Sequence, residues 1–348
     1  MNILKPIVGV TMGDPVGVGP EIILKALAKR EVFEYAKPIV IGNPNVFNIV
    51  RDRCDIDVDI VEVSENRIKD LEYRVGKVYI IPIRQPELRN ITFGVMSIEA
   101  AEAAYNSIVK SIELALSGAI DAVATAPINK VEMRMRYPDF IGHTELFQNM
   151  TRSPFVITMF ELENMRVFLM TRHVALREVF RYITREAILE AIVNAHRFLE
   201  ALGINNPTIA VAALNPHASD GGLFGDEEDR IIRPAIEEAN RMGIRAIGPI
   251  AADAIFWFGR QGRYDAILSL YHDQVHIALK TLDLPGTVGV TLGLPFIRTS
   301  PEHGTAYSRA GKCTAIERGM VNSIIIAAKY AYTWKRNWPK IKTYFETK

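Results

Sequence analysis

Cysteine is scarce in this chain: two, Cys54 and Cys313, in 348 residues. That count excludes a small scaffold stapled by several disulfides, and two thiols are expected to stay reduced in a cytoplasmic setting. An excess of one charge sign is missing too. With 41 basic and 40 acidic residues the net charge is +1, which offers no broad electrostatic footing for nucleic acid or an anionic membrane. No apolar run approaches the ~20 residues that a bilayer span takes. The opening "MNILKPIVGVTMGDP" lacks the apolar core and small-residue cleavage site of a signal peptide. Low-complexity tracts, repeats and long charge blocks are absent as well. What remains is an ordinary globular balance, 49% hydrophobic and 23% charged, which supports a large core. The length suggests about two domains, and the expectation is a soluble protein with no nucleic-acid or membrane partner.

Short apolar, β-branched runs alternate with longer amphipathic stretches. "PIVGVTM" (6–12), "PIVIG" (38–42), "AIDAVATAP" (119–127), "TIAVAAL" (208–214), "DAILSL" (265–270) and "TVGVTLGLP" (287–295) read as strands. Helices are expected over 20–30, with Pro20 in the first turn, over 95–118, closed by Gly118, and over 184–203 and 226–242. Such alternation predicts an α/β fold, a mainly parallel sheet covered by helices on both faces. Ligands of these sheets sit beyond the strand C-termini. That is where "GDPVGVGP", "APINK", "NPHASDGG" and "YHDQ" fall, and with no linker in sight two interleaved lobes are expected.

Each motif has a plain reading beside the functional one. "GDPVGVGPEI" (13–22) sets glycines between a strand and a helix, as an anion-binding turn does; glycines also simply turn a chain, and the spacing is not the dinucleotide GxGxxG. "TAPINK" (125–130) brings Asn129 and Lys130 to a strand end, where Lys130 is otherwise a surface lysine. "GHTE" (142–145) puts Thr144 near a helix cap and His143 where it can meet an anion. His196 sits mid-helix, a structural or exposed position. His173, His217 and His272 each follow an apolar run, so they either converge on a divalent metal with open positions or cap strand ends. "SPEHGTAYSRAGK" (300–312) is a loop of small residues able to wrap an adenosine moiety, or a surface turn. Arg298 ends "GLPFIR", and its fork suits phosphate or carboxylate.

Taken together, "GDPVGVGPEI", "TAPINK", "GHTE", "TRHVALREV", "LNPHASDGGLFGDEE", "DAILSLYHDQ" and "GLPFIRTSPEHGTA" resemble the 4-hydroxythreonine-4-phosphate dehydrogenase family of vitamin B6 biosynthesis. The likeness runs through nearly the whole chain. Two of the loops look more distantly like those of isocitrate and isopropylmalate dehydrogenases. The resemblance implies a two-lobed α/β/α subunit of that kind, working as a homodimer with its active site at the subunit interface. The expected lobes are 1–128 plus 290–348 on the cofactor side, and 129–289 for metal, substrate and dimerisation. By the same resemblance His173, His217 and His272 hold a divalent metal, one of them reaching the site of the neighbouring subunit. His143, Thr144, Lys280 and Arg298 bind substrate, and Glu302, His303 and Gly304 help hold NAD.

The implied reaction is oxidation of the 3-hydroxyl of a 4-phosphorylated four-carbon hydroxy acid, followed by decarboxylation. Asp273 is the candidate base, with Lys130 and Asp253 as competitors, and Asp273 alternatively orients a metal-binding histidine. Zinc suits three histidines, with cobalt, manganese or magnesium as alternatives, and NADP is the alternative to NAD. One position departs from the biosynthetic enzymes: their substrate-binding asparagine falls on Gly289 here. Losing a polar partner shifts affinity by about 1–3 kcal/mol, and His276, near Lys280, is placed to compensate. The departure keeps D-threonate and D-erythronate 4-phosphate open as substrates beside 4-phosphohydroxythreonine. A non-catalytic phosphometabolite-binding protein is the third reading, disfavoured by the complete histidine set.

Overall fold

Ile7–Thr11, five buried residues in a row, form β1 in the computed structural model, which describes residues 5–83, 88 and 91–347. The chain continues through α1 (Gly19–Leu27), α2 (Arg30–Tyr35), β2 (Lys37–Gly42), α3 (Pro44–Cys54), β3 (Asp59–Glu62), β4 (Lys77–Pro82), α4 (Ile98–Leu116), β5 (Ala122–Thr125), α5 (Lys130–Arg136) and α6 (His143–Thr151). Next come β6 (Ile157–Leu162), β7 (Met165–Leu169), α7 (Leu176–Val179), α8 (Arg185–Ala201), β8 (Ile209–Ala212), α9 (Arg233–Arg241), β9 (Ala246–Ile250), α10 (Ala252–Arg260), β10 (Ala266–Ser269) and α11 (His272–Asp283). The last elements are β11 (Val288–Leu292), β12 (Ile297–Pro301) and α12 (Arg318–Glu346).

Two compact units result, one of Met1–Ile157 with Val288–Lys348, the other of Thr158–Thr287. In the first, strands run in the order β3-β4-β2-β1-β5-β12-β11, all parallel except the β11–β12 pair. In the second the order is β6-β7-β10-β8-β9, parallel except for the β6–β7 hairpin. The fold is therefore α/β and mainly parallel, with strands buried on both faces and reading as continuous apolar runs. Residues 129–157, expected with the second lobe, belong to the first. Packing explains it: Met133 and Phe140 share a buried cluster with Ala101 and Ala104 of α4, and Tyr137 stacks on Tyr105 with ring centroids 4.0 Å apart.

Helix starts follow the capping residues. Asn43, Ser97 and Thr184 accept from Asn45 N, Ala100 N and Ala187 N, and Asn129 accepts from Val131 N and Glu132 N. Each such bond satisfies one of the amides a helix N-terminus leaves open, worth roughly 1 kcal/mol. Thr144 does not cap α6: Gly142 holds that position, without a side-chain bond, and His143 is already helical.

The two cysteines are not free thiols. Cys54, at the end of α3, and Cys313 are disulfide-bonded across 259 residues of sequence, their Cα atoms 5.3 Å apart. A count of two said nothing about this, because the pairing depends on the loop after β12 folding back onto α3; the argument from cysteine count to a reducing compartment falls with it. Among the described residues no helix is long and apolar enough to cross a membrane.

Candidate active site

Arg298 lies on β12 beside β5, almost completely buried. Its Nε and Nη2 donate to Thr125 Oγ1 at 3.0 and 2.6 Å, and Nη1 donates to Thr291 Oγ1 at 3.1 Å. Thr125 in turn donates to Thr299 O at 3.2 Å, so its lone pairs face the guanidinium. Burial pushes Arg298 down to about 10, while Glu302 and Glu145 help keep it charged. The guanidinium carbon stands 5.8 Å from the Phe147 ring centroid, on the first turns of α6.

His143 opens that helix. Its Nε2 is buried and has no hydrogen-bond partner. Burial first, then the charges of Arg298 and Lys130, holds its pKa well below the ordinary value, so the imidazole is neutral at physiological pH. Lys130, at the start of α5, is exposed, as a surface lysine is, and its side chain leans over Gly142. Its Nζ comes within 3.4 Å, and Glu145 Oε2 within 2.9 Å, of the point where a Cβ would stand on Gly142. Arg298, Lys130 and a histidine with an unmet nitrogen thus gather in the first unit, which is the chemistry of an anion pocket. Thr144, half-buried, follows on the same helical turn.

The loop after β12 holds the three residues expected at a nucleotide. Glu302 and His303 are half-buried and Gly304 is exposed, with open space where its Cβ would be. His303 Nδ1 contacts Gly304 O at 3.0 Å, and its Nε2 is buried without a partner. Beyond them the loop is anchored to α1: Lys25 Nζ donates to Cys313 O and Ala315 O, both at 3.0 Å, and Ala315 N donates to Glu21 Oε1 at 2.8 Å. An open site with one unmet imidazole nitrogen beside a glycine suits a polar ligand.

In the second unit, the rings of His173 and His272 lie 5.5 Å apart and those of His272 and His276 4.2 Å apart. His272 Nδ1 is 2.7 Å from Asp273 Oδ1. A carboxylate can only accept there, so the bond makes Nδ1 the donor and leaves the Nε2 lone pair for a metal. His217 stands apart, near Asp220 at 3.8 Å, in a left-handed run from His217 to Asp220. Among the described residues no three His, Cys, Asp or Glu side chains form a metal-holding group. Burial and the neighbouring His272 push His276 down to about 4. Lys280 is exposed on α11, as is Asp253 on α10.

Two braces in this unit escaped the sequence reading. Gln274 accepts from Ser269 Oγ and Leu270 N at 2.6 and 2.8 Å and donates to Ala213 O at 2.8 Å, tying the turn before His272 to the end of β8. Glu228 accepts from Leu214 N and Asn215 N at 2.8 and 2.7 Å, fixing the segment that leads into His217. Burial would raise its carboxyl, but the bonds from Asn215 and Leu214 hold it below the ordinary range. Only the position of Gln274 inside "YHDQ" hinted at such a role.

Comparison with known proteins places these residues in a family. A Clostridium botulinum protein named "Putative D-threonate 4-phosphate dehydrogenase" is 43% identical over 332 residues, 95% of this chain and 99% of its own length. The crystal structure of 4-hydroxythreonine-4-phosphate dehydrogenase from Klebsiella pneumoniae is similar at a TM-score of 0.83 and 34% identity, covering 94% of this chain and all of that one. The Burkholderia phymatum enzyme of the same name matches at 0.80 and 34%, over 94% of this chain and 99% of its own. The family model for the pyridoxal phosphate biosynthetic protein PdxA matches residues 34–327, and the chain belongs to that family.

Proposed function

We propose that this chain is a nicotinamide- and divalent-metal-dependent dehydrogenase that oxidises the 3-hydroxyl of a 4-phosphorylated four-carbon hydroxy acid, whose keto product then loses CO2. The observation that carries the reading is the buried, Thr125- and Thr291-braced Arg298 beside the unmet Nε2 of His143 and the ammonium of Lys130. Such a pocket selects a dianionic phosphate or a carboxylate, and a neutral His143 donates or accepts without adding charge. Thr144 and Lys280 are assigned to substrate as well. Glu302, His303 and Gly304 are assigned to the nucleotide, NAD with NADP as alternative, supported by the open space at Gly304 and the buried unmet Nε2 of His303.

His173, His217 and His272 are assigned to the metal, zinc with cobalt, manganese and magnesium as alternatives. Two of the three imidazoles are already adjacent, and His272 is held in the right tautomer by Asp273. The separate position of His217 supports a homodimer in which one ligand comes from the partner subunit, as expected from sequence. When bound, a divalent metal held by His173, His217 and His272 would supply Lewis acidity toward the substrate's oxygens, and a nicotinamide held by the loop of Glu302, His303 and Gly304 would supply the hydride acceptor. The chain's own part is to orient the substrate by its anionic ends, which is worth several orders of magnitude in rate when the reacting carbon is correctly placed. Asp273, bonded to His272, acts first as the carboxylate that orients it. A cytoplasmic location belongs to the same reading, since such phosphates and nucleotides are intracellular metabolites.

The substrate is tested by kcat/KM with NAD+ and a divalent metal, comparing D-threonate 4-phosphate, D-erythronate 4-phosphate and 4-phosphohydroxy-L-threonine. The name shared by relatives at 43% identity favours D-threonate 4-phosphate. Preference for the amino acid would place the chain in pyridoxine phosphate synthesis. No turnover of any of the three would refute the reading.

A further inference from the structure

Three loops of the first unit meet at a buried acid pair that the anion pocket does not use. Asp14 follows β1 and Glu132 lies in the first turn of α5, and neither is exposed. Asp14 Oδ1 accepts from Val16 N at 2.9 Å, and Oδ2 accepts from the Tyr307 hydroxyl at 2.7 Å. Glu132 Oε1 accepts from Ser97 N at 3.0 Å, while Oε2 is buried without a donor. The backbones are tied at the same place: Asp14 N donates to Pro127 O at 2.9 Å, and Val18 N to Thr305 O at 3.0 Å. The glycine-rich turn, the segment after β5 and the loop carrying Glu302, His303 and Gly304 are therefore joined through two carboxyls and one phenol.

Two carboxylates in dry contact do not both ionise; they hold a proton between them. Burial, then the charge of Asp14, pushes Glu132 up to about 8. Burial likewise raises Asp14, against the bonds from Tyr307 and Val16. The groups facing the pair are the Tyr307 phenol from the loop, the Val16 and Gly17 amides from the glycine-rich turn, the Ser97 amide from the start of α4, and Asn129 from the turn before α5. Burial and Asp14 raise Tyr307 further still, so it remains a donor at every working pH.

We propose that Asp14 and Glu132 share one proton and act as a positioning pair which, through Tyr307, holds the loop of Glu302, His303 and Gly304 in the conformation that receives the nicotinamide nucleotide. The proposal rests on the nucleotide reading of that loop. With the proton in place the pair carries one negative charge, and the phenol satisfies it. Once the proton leaves, two adjacent charges press the loops apart, and nucleotide affinity falls without any change in the residues that touch it.

The test is the dissociation constant of NAD+, measured by titration calorimetry on the full chain from about pH 6 to pH 9.5. Melting curves report folding of each variant. Wild-type affinity is expected to stay level to about pH 7.5 and to weaken by about tenfold one unit above the transition. Glu132→Gln, neutral at all pH and still able to donate to Asp14, is expected to flatten the profile. Tyr307→Phe is expected to weaken binding about fivefold at every pH, the net effect of one hydrogen bond. A flat wild-type profile, a Glu132→Gln profile as steep as wild type, or full affinity in Tyr307→Phe would each overturn the proposal. Failure of the wild type to bind NAD+ or NADP+ at any pH is a different result, and it removes the nucleotide reading itself.

Discussion

A single methyl group on Gly289 probes how the substrate end of β12 is built. Gly289 lies opposite Ser300, and Thr291 opposite Arg298, in the antiparallel β11–β12 pair. Arg298 and Ser300 share a face of the sheet by alternation, and Glu302 reaches back across it. Glu302 Oε1 lies 2.5 Å, and Ser300 Oγ 3.4 Å, from the point where a Cβ on residue 289 would stand. In Gly289→Ala the carboxylate must recede by nearly an ångström to reach ordinary contact. It is the far end of a flexible side chain, so the fold tolerates the change at a cost of about 1 kcal/mol or less. The carboxylate also helps keep Arg298 charged, so moving it disturbs the substrate's anchor. The expected loss in kcat/KM is roughly 1–2 kcal/mol, about 5- to 30-fold. In a Glu302→Ala background the methyl meets only Ser300 Oγ, at ordinary contact distance, and the loss should nearly vanish, a coupling of about 1 kcal/mol or more. Steady-state kinetics on the four proteins of the cycle, with melting curves alongside, measure it. Additive effects, or an unimpaired Gly289→Ala, would refute the reasoning.

Three further outcomes follow from the site. Asp273→Asn keeps size but removes the fixed acceptor from His272, so metal affinity should fall about 10- to 100-fold in a chelator-competition titration; unchanged affinity would show that the carboxylate orients nothing. Arg298→Lys retains the charge but loses the three guanidinium bonds to Thr125 and Thr291, and kcat/KM should drop at least ~100-fold, more through KM than through a change in melting temperature. The stability that Glu132 contributes, read as the difference between wild type and Glu132→Gln, should decline as pH rises from about 5 to 8. The folded Glu132 carboxyl titrates at about 8 rather than its ordinary 4.5, so its contribution is complete below 4.5 and lost as pH passes 8. The effect is on the order of a few kcal/mol. Urea unfolding of both proteins across that window reads it, and a pH-independent difference between them would refute it.

Much of this was legible in the chain. The parallel strands announce themselves because they are buried on both faces, as "IVGVT" and "AVAT" are. Asn129 and Ser97 mark helix starts by chemistry confined to three or four neighbouring residues. β3, by contrast, has no fully buried residue and so no apolar run to find. The strings around His173, His217 and His272 were visible as a set, yet nothing local could tell that His217 would stand apart from the other two or that Gln274 and Glu228 would brace their loops. Those bonds link residues that only folding makes neighbours.

By itself the sequence determined the α/β alternation, the family and the identity of the groups able to do chemistry, since each depends on side-chain type and short-range order. The tertiary structure alone decided that Cys54 meets Cys313, that residues 129–157 pack with the first unit, that Gly289 leaves room for Glu302, and that Asp14, Glu132 and Tyr307 share one buried point. All four are contacts between distant parts of the chain. Their energetics depend on burial and on separations of a few ångströms, which are properties of the packed molecule and leave no periodic or compositional trace along the chain.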